Sequence, residues 1–379
     1  MAWTERYVRH DAAGGGDGTT NTNSGANGAW TLAEAIADTT VGYRRNIRAG
    51  TYTAGATLTF AGAGSISTAL LWEGFTSTPG DLRDDFDSSH YPYFDLTGGD
   101  YYFDVTGSNQ IFRSLKISSA VTAAGRGSMY VSGAACRVIK CRIEGTNANA
   151  NGHAIAASNT SDGLLVQQCY LTSTTTPPYV VDITSNTNSV ICANVIVGGT
   201  VGLVILGHGA VLSNLIFNCS SHAIQLGTGV SSQLYLAANN TIYNVGGDGI
   251  QFTNASAVGS VYGNILSVIG GNGISNSSAV NSQINCENNL MHAVTGNKYN
   301  NIYQDDVDAL TDDTVTPFLS AGTDFRLVGT SNGVSNAIPK FFLDRPEQSY
   351  LDCGAIQRYD PTDAEIAAAI WAYSNRTLS

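Results

Sequence analysis

The sequence contains few charged residues, and most of those are acidic. Asp, Glu, Lys and Arg make up 13% of the 379 residues, with 30 acidic side chains against 18 basic ones and a formal net charge of −12. An acidic surface repels phosphate backbones and anionic lipid, so we expect neither nucleic acid nor a membrane as a partner. No apolar run approaches the length of a membrane span, and residues 1–6 do not begin a signal peptide.

Recognisable metal-binding patterns are also missing. The 7 cysteines include no pair of CxxC motifs, so the sequence predicts no zinc site and implies no cofactor. Small buried thiols stacked in a core are the simpler interpretation. We therefore expect a protein that is made in a reducing host cytoplasm.

A short phrase is repeated between residues 141 and 289. A small or polar residue is followed by a pair, or near-pair, of aliphatic residues, and successive copies lie 20 to 28 residues apart. The seven phrases centre on Cys141, Cys169, Asn194, Asn214, Asn240, Asn264 and Asn289, and an eighth copy begins at Ser114. A β-rich repeat of this length is typical of a chain wound into stacked coils, each burying the apolar edge of its neighbour. Leucine-rich repeats would need leucines at fixed offsets and a helix in every repeat, and neither is visible.

Five of the seven phrase centres are asparagines, which predicts a stacked amide ladder. Each side chain would hydrogen-bond to the next one, about 4.8 Å away along the stack. These asparagines are expected to point inward and hold the turns. The column immediately before the ladder contains no acid; it is predicted to comprise Arg113, Lys140, Gln168, Ala193, Ser213, Asn239, Gly263 and Asn288.

A second short strand is predicted to open each coil, and a cap is predicted to close the first one. The second strands cover residues 154–156, 180–183, 203–206, 223–226 and 250–252. Residues 1–60 contain a glycine-rich loop, a helical phrase at 30–37 and a strand that ends at Gly50. An open coil end would expose strand edges and core, so we interpret residues 1–60 as an N-terminal cap.

Several of these segments resemble those of a known superfamily. The glycine-rich loop, the helix and Arg48-Ala49-Gly50-Thr51-Tyr52 are similar to the N-terminal lid of the right-handed parallel β-helix superfamily, which includes pectate lyases and phage tailspikes. Pro317-Phe318, Asp324-Phe325-Arg326-Leu327 and Asp352-Cys353-Gly354-Ala355-Ile356 resemble its closing phrases. The resemblance implies an all-β, right-handed parallel β-helix solenoid with coils over residues 61–300 and closing coils over 301–358. It implies little about activity.

The last segment, residues 359–379, changes character. Thr362 is a credible N-cap and Glu365 completes a capping box, which predicts a short C-terminal helix. So short a helix is marginal in water and must dock on a partner. The predicted partner-binding residues are Ile366, Ile370, Trp371 and Tyr373. Residues 369–378 resemble segments of phage virion proteins, so we interpret the tail as an anchor.

Enzymes of this superfamily carry clustered carboxylates on the outside of the coils, and this pattern is weak here. The acids between residues 105 and 303 are Glu144, Asp162, Asp182, Asp248 and Glu287. Aligned on the ladder, no two of them occupy matching positions in adjacent coils; Asp182, for example, aligns with Gln225 and Gln251. We therefore assign no catalytic residue.

His222 and Asp248 are the weak catalytic candidates. Each lies two residues before a strand's first isoleucine in consecutive coils, so we expect them to stack one rung apart. They could act as an acid–base couple or simply satisfy hydrogen bonds in a turn. Gly207-His208-Gly209 resembles an element of polygalacturonase-like hydrolases, but the aspartates and the Arg-x-Lys element expected with it are absent.

Two further features could bind ligands. Arg113 and Lys140 are expected at equivalent positions on adjacent coils, close to Lys116 and Arg142. This basic spot could bind an acidic sugar or an acidic partner surface, or it could be a solvated face. Acidic segments at 81–87 and 305–313, and Asp17 in its glycine loop, could hold calcium, although none matches an EF-hand and no metal site is assigned.

The sequence is compatible with three functions. The first is a non-catalytic structural component of a bacteriophage virion, a homotrimeric capsid decoration or cement protein that contacts the major capsid protein or another virion protein. The second is a polysaccharide-degrading tailspike. The third is a polysaccharide-binding module, which would need an aromatic stripe, whereas the tyrosines look scattered. The acid-poor coils and the phage-like tail favour the first, located in the virion.

Overall fold

The computed structural model describes most of the chain up to Leu327. The described residues are 3–81, 90–146, 152–158, 160–173, 179–183, 188–227, 234–277, 283–302, 310–311, 316–320, 322 and 324–327. The predicted C-terminal helix, with Ile366, Ile370, Trp371 and Tyr373, lies outside the described residues. So do most of the acidic residues of the 81–87 and 305–313 segments.

Three sheets run along the molecule, and their strands are added in rotation. Sheet A contains β1 (Thr4–Val8), β2 (Tyr43–Arg48), β5 (Leu70–Phe75), β8 (Gln110–Arg113), β11 (Arg137–Ile139), β14 (Leu165–Gln167), β17 (Ser189–Cys192), β20 (Gly209–Leu212), β23 (Leu234–Ala238), β26 (Val258–Tyr262) and β29 (Gln283–Glu287). Sheet B contains β3 (Gly50–Thr53), β6 (Pro92–Leu96), β9 (Lys116–Ser119), β12 (Arg142–Gly145), β15 (Tyr170–Ser173), β18 (Val195–Gly198), β21 (Leu215–Cys219), β24 (Thr241–Val245), β27 (Ile265–Ile269), β30 (Leu290–Val294) and β32 (Leu310–Thr311).

Sheet C contains β4 (Leu58–Phe60), β7 (Phe103–Val105), β10 (Gly127–Val131), β13 (His153–Ala157), β16 (Tyr179–Ile183), β19 (Val201–Ile205), β22 (Ile224–Leu226), β25 (Ile250–Phe252), β28 (Ile274–Asn276) and β31 (Tyr299–Asn300). Each coil gives one strand to A, one to B and one to C, and strands of successive coils pair in parallel. The predicted all-β parallel β-helix is confirmed.

The interior is a stack of aligned apolar columns. On sheet B the second residue of each aliphatic pair points inward, because side chains alternate between the two faces of a strand. The column comprises Phe94, Ile117, Ile143, Leu171, Ile196, Ile216, Ile242, Leu266 and Met291, which are all buried. Every coil therefore buries its core side chains against the coils above and below.

The N-terminal segment starts the coils as well as covering them. The helix α1 (Leu32–Ala37) has Thr31 as its N-cap, and the Glu34 side chain accepts the Thr31 backbone N–H at 2.8 Å to complete a capping box. β2, β3 and β4 already form one strand of each sheet. The first coil therefore begins inside the segment 1–60 that the sequence assigned to a cap.

The end of the described chain folds back onto the outside of the coils. β33 (Phe318–Ser320) and β34 (Asp324–Leu327) form an antiparallel pair. Phe318, Phe325 and Leu327 pack on the outward-facing Leu215, Ile265 and Leu290 of sheet B. This part of the predicted closing coils is therefore a hairpin laid over the outer face.

Cysteines and helices add two details. Cys136, Cys141, Cys169, Cys192, Cys219 and Cys286 are free thiols, and all except Cys192 are buried. None of the helices within the described residues has the length and apolar character needed to cross a bilayer.

Candidate functional site

The turn from sheet A to sheet B is the most regular feature of the surface. In eight successive coils, starting with the one that contains Ser114, one residue adopts a left-handed backbone conformation and the next one points into the core. The left-handed residues are Ser114 (φ 56°), Lys140 (52°), Gln168 (55°), Ala193 (55°), Ser213 (54°), Asn239 (55°), Gly263 (58°) and Asn288 (53°). This column is the predicted flank of the ladder with one correction: Ser114, rather than Arg113, occupies it, because Leu115 is the ladder residue of that coil.

The five asparagines form one continuous hydrogen-bonded column. The amide nitrogen (Nδ2) of Asn194, Asn214, Asn240 and Asn264 donates in each case to Oδ1 of the next asparagine, at 2.9, 3.0, 2.9 and 2.9 Å. The same Oδ1 atoms accept the backbone N–H of the preceding ladder residue at 2.9 to 3.1 Å. All five are buried. The column joins successive coils along the axis and leaves no asparagine side chain available to a ligand.

Two cysteines extend the ladder toward the N-terminus. The Cys169 N–H donates to Asn194 Oδ1 at 2.8 Å, and the Cys141 N–H lies 3.4 Å from Cys169 Sγ. Burial raises the pKa of the Cys169 thiol well above its ordinary value, so it stays protonated. Both thiols are buried in the turn, and the protonated Cys169 is a poor nucleophile.

No outward-facing acid on the described strands of sheet C has another acid as its register partner. On sheet C one outer column runs through Asp104, Tyr130, Ala156, Asp182, Val204, Gln225 and Gln251. The predicted alignment of Asp182 with Gln225 and Gln251 is therefore present in the register. Asp104 and Asp182 are three rungs apart, or about 14 Å at ~4.8 Å a rung. Paired glycosidase carboxylates lie no more than about 9.5 Å apart.

On the described strands of sheets A and B as well, each acid has a non-acidic register partner, and on sheet B Asp95 and Glu144 are two rungs apart with Ser118 between them. Glu73 pairs in register with Arg113, Glu144 with Ser118 and Thr172, and Glu287 with Tyr262. Among the described strands, no two acids occupy matching positions in adjacent coils. No group of three or more His, Cys, Asp or Glu side chains capable of holding a metal ion occurs among the described residues.

His222 and Asp248 are neighbours in consecutive coils, but their side chains do not pair through a hydrogen bond. His222 Nδ1 accepts the backbone N–H of Asp248 at 3.0 Å. The Asp248 carboxylate accepts the Asn272 N–H at 2.6 Å and the Ser275 hydroxyl at 2.6 Å, both in the following coil. Burial lowers the pKa of His222, which keeps the ring neutral. This geometry favours the second interpretation, in which both residues satisfy turn hydrogen bonds.

Sequence reasoning missed a second His–Asp pair, on the neighbouring strands β13 and β16 of sheet C. His153 Nε2 lies 3.9 Å from Asp182 Oδ2, and both residues are buried. His153 Nδ1 is 2.7 Å from the Tyr179 carbonyl oxygen, and the two rings stack at a centroid distance of 5.8 Å. Burial raises the pKa of Asp182, while His153 acts in the opposite direction. The observed strand register aligns Ala156 with Asp182 and so brings His153 close to Tyr179 and Asp182.

The remaining candidates have structural roles. His208 Nδ1 accepts the Leu234 N–H at 3.0 Å. Asp81 accepts the backbone N–H groups of Thr76, Ser77 and Thr78 at 2.7 to 2.8 Å. Burial raises the pKa of Asp81, but these bonds together outweigh it and lower the pKa to about 2. Asp17 accepts the Thr19 hydroxyl and N–H. Each carboxylate or ring nitrogen organises its own loop.

The basic spot is present, but its predicted alignment was wrong. Arg113 pairs in register with Ile139, so Arg113 and Lys140 are not equivalent. The equivalent cations are Lys116 and Arg142, which begin β9 and β12. The error arose because the eighth phrase was centred on Ser114, one residue before the ladder position. All four cations still lie around one turn in two adjacent coils.

Comparison with known proteins supports the fold alone. No protein-family model and no curated protein sequence matches the chain. Among solved structures, pectate lyase Pel9A has a TM-score of 0.60 and 14% identity, covering 94% of this chain and 96% of that one. A rhamnogalacturonan lyase reaches 0.48 and 12% identity over 84% and 91%, and the ORF18 protein of Geobacillus virus E2 reaches 0.44 and 14% over 74% and 59%. The chain is thus similar to pectate lyase in its parallel β-helix.

Proposed function

We propose that this chain is a non-catalytic structural component of a bacteriophage virion, a tailspike-like β-helix that acts as a capsid decoration or cement protein. One observation carries the proposal: the turn column is an uninterrupted hydrogen-bonded ladder with no acid on its flank. The described strands likewise hold no carboxylates paired across adjacent coils. Such an arrangement suits a stiff element better than a hydrolytic or lyase site.

The mechanical role follows from the way in which the coils are joined. Each coil contacts only its neighbours, so a solenoid gains stability from one interface after another. Three parallel sheets and the asparagine column connect every coil to the next along the axis. Bending or opening the stack would break several buried hydrogen bonds at once, and the resulting prism resists both force and proteases.

One lateral face suits contact with further copies of the chain. The outer column of sheet A runs through Leu165, Val190, Ala210 and Leu236, with Leu234 62% exposed beside it. A row of partly exposed aliphatic side chains is a feature of protein–protein interfaces. We assign this face to a homotrimer, in which the three sheets would cover one another.

The C-terminal tail is the proposed attachment point. Residues 359–379 would dock their apolar helical face, with Ile366, Ile370, Trp371 and Tyr373, on the major capsid protein or another virion protein. The β-helix would then project from the particle. The chain would be made in the host cytoplasm and reside in the virion.

Attachment provides the test. Tagged full-length chain and a variant that lacks residues 360–379 would each be added to particles that lack the protein, and bound chain would be measured after sedimentation. We expect the full-length chain to sediment with the particles and the truncated one to stay in solution. Equal attachment of both would exclude the tail as the anchor. Depolymerisation of host capsule or lipopolysaccharide by the purified protein would overturn the non-catalytic assignment itself.

A further inference from the structure

A second hydrogen-bonded column runs along the turns that lead from sheet B into sheet C. Its four residues occupy equivalent register positions in successive coils: His222, Asp248, Asn272 and Asn297. We call them the entry ladder, because the next strand of sheet C begins two residues after each of them. His222 Nδ1 accepts the Asp248 N–H at 3.0 Å, Asp248 Oδ1 accepts the Asn272 N–H at 2.6 Å, and Asn272 Oδ1 accepts the Asn297 N–H at 3.0 Å. The equivalent residue of the preceding coil is Val201, whose side chain cannot accept a hydrogen bond, so the entry ladder starts at His222.

His222 is the member whose hydrogen bond depends on its protonation state. A neutral imidazole has one nitrogen that accepts a hydrogen bond and one that carries hydrogen. Because Nδ1 accepts the Asp248 N–H, the neutral ring carries its hydrogen on Nε2. A second proton can bind only at Nδ1, where it would point at the backbone N–H of Asp248. Two donors cannot share this bond, so the turn must move when the ring becomes charged.

Asp248 is the charged group that faces the ring, and its carboxylate is already fully engaged. Its Oδ1 accepts the backbone N–H and the Nδ2 of Asn272, at 2.6 and 3.1 Å. Its Oδ2 accepts the Ser275 hydroxyl at 2.6 Å and the Gln251 amide at 3.4 Å. A carboxylate offers about four acceptor positions. A hydrogen bond from a protonated ring to Asp248 would therefore displace one of these partners.

Among the described residues, the other elements around the ring bring no charge. The preceding turn presents Thr200 and Val201, and strand β21, which leads to His222, contributes the Cys219 thiol. Burial raises the pKa of that thiol to about 12, so it stays neutral near neutral pH and in acid. Burial also lowers the pKa of His222, while Asp248 acts in the opposite direction. The folded chain therefore binds a proton at this ring less tightly than the unfolded chain does, and stability is lost as pH falls through the ordinary histidine range.

We propose that His222 makes the start of the entry ladder an acid-sensitive joint, which is closed while Nδ1 is unprotonated and loosens when Nδ1 binds a proton. The asparagine ladder runs along a different set of turns, between sheets A and B, and the bonds that join Asn214 to Asn240 involve no group that titrates in this range. The coils on either side of His222 therefore stay in order while the turn into sheet C gains freedom. The inference does not rest on the virion role, because the joint would act equally in a free chain.

The chain itself shows which replacement separates the hydrogen bond from the proton. Asn272 occupies the same position two coils later and accepts the next backbone N–H through Oδ1, so His222→Asn keeps an acceptor that cannot be protonated. The test is hydrogen exchange by mass spectrometry on a peptide that includes residues 246–250, at about pH 7.5 and about pH 5, with rates corrected for the intrinsic effect of pH. In the unmodified chain we expect protection to fall several-fold in acid, up to a limit of about thirtyfold that an unfolded-state histidine pKa of about 6.5 sets. In His222→Asn protection should be the same at both pH values.

His208→Asn is the matched control. His208 Nδ1 also accepts a backbone N–H of the next coil, from Leu234 at 3.0 Å, but this bond is exposed to water. The variant removes one titratable ring and should leave the acid response of residues 246–250 unchanged. Full protection of these residues in acid in the unmodified chain would overturn the proposal, and so would an acid response that survives in His222→Asn.

A comparison within the unmodified chain holds even if His222→Asn fails to fold. Peptides around Asn214 and Asn240 should keep their protection at the lower pH, because the bonds between these asparagines do not depend on a proton. Residues 246–250 should lose theirs. Equal loss at both places would mean that acid loosens the whole stack, and the joint at His222 would be ruled out.

Discussion

Asn240 lies in the middle of the ladder, and its replacement by alanine tests what the column contributes. Its Nδ2 donates to Asn264 Oδ1 at 2.9 Å and to the Val211 carbonyl oxygen at 2.8 Å. Its Oδ1 accepts the backbone N–H and the Nδ2 of Asn214, each at 3.0 Å. Asn240→Ala removes all four bonds and leaves two donors of Asn214 and one acceptor of Val211 without these partners.

The expected cost is large because the site is completely buried. Asn240 has 0% of its surface exposed. Each buried polar group that loses its partner costs roughly 1–3 kcal/mol, and local relaxation recovers part of this. We expect Asn240→Ala to lower the free energy of unfolding by about 3 to 5 kcal/mol, measured by guanidinium unfolding followed by circular dichroism. Asn285→Ala is the control, because Asn285 faces outward and makes one bond to Glu287 at 2.8 Å; its cost should be below about 1 kcal/mol.

Asn240→Asp separates hydrogen bonding from packing. The aspartate keeps the acceptor and the shape but loses the amide donors, and burial raises the pKa of a carboxyl at such a site. A folded-state pKa above the unfolded value of about 3.9 means that the folded chain binds the extra proton, so stability falls as pH rises between the two values. Asn240→Ala should lack this pH dependence. A cost below about 1 kcal/mol for Asn240→Ala, or a pH-independent aspartate variant, would refute the ladder as a stabilising element.

Three further predictions test other parts of the structure. Val268 has a left-handed backbone conformation (φ 58°), which is unfavourable for a β-branched residue and better tolerated by asparagine, and its side chain is 39% exposed. Val268→Asn should therefore raise the free energy of unfolding by about 1 kcal/mol, measured by thermal unfolding; destabilisation would contradict this. Burial raises the pKa of Asp182 in the folded chain. The folded state therefore binds this proton more tightly than the unfolded state does, and the free energy of unfolding falls as pH rises. Asp182→Asn should therefore be more stable than the unmodified chain by about 1 kcal/mol at pH 8, with a difference that shrinks toward pH 4; a constant difference across a guanidinium–pH series would be evidence against it. Leu236→Lys should reduce the oligomeric mass, measured by light scattering, to that of a single chain, whereas an unchanged trimer would show that sheet A is not the interface.

The repeated phrase made most of the fold predictable. A ladder position followed by two aliphatic residues defines both the turn and the first inward residue of sheet B, as at Asn214, Leu215 and Ile216. Only one copy was misplaced. Leu115 has no polar side chain to mark it as a ladder residue, so Ser114 was taken for the centre, and Arg113 was moved onto the flank.

The same phrase also marks apolar side chains that point outward. Because side chains alternate along a strand, an aliphatic pair must direct one of its members outward. Leu215, Ile265 and Leu290 are those members, and they are buried under the hairpin residues Phe318 and Phe325. A column of outward-facing apolar side chains predicts that another segment of the chain covers the sheet. Which segment does so depends on contacts across many coils, which local sequence does not encode.

The His153–Asp182 pair could not be predicted for a related reason. The phrase fixes the register of sheets A and B, but the connections that lead into sheet C differ in length from coil to coil. The relative placement of His153 and Asp182 therefore depends on strand pairing that the repeat does not mark. His222 and Asp248 were placed correctly in adjacent coils, yet the direction of each side chain is set by backbone N–H groups in the turn.

The proposed role as a structural part of a virion is tested most directly by quantitative peptide mass spectrometry of purified particles of a phage whose genome carries this sequence. We expect its peptides to be present in a fixed ratio to the major capsid protein and to remain after a high-salt wash. Particles that assemble normally and contain none of its peptides would contradict it.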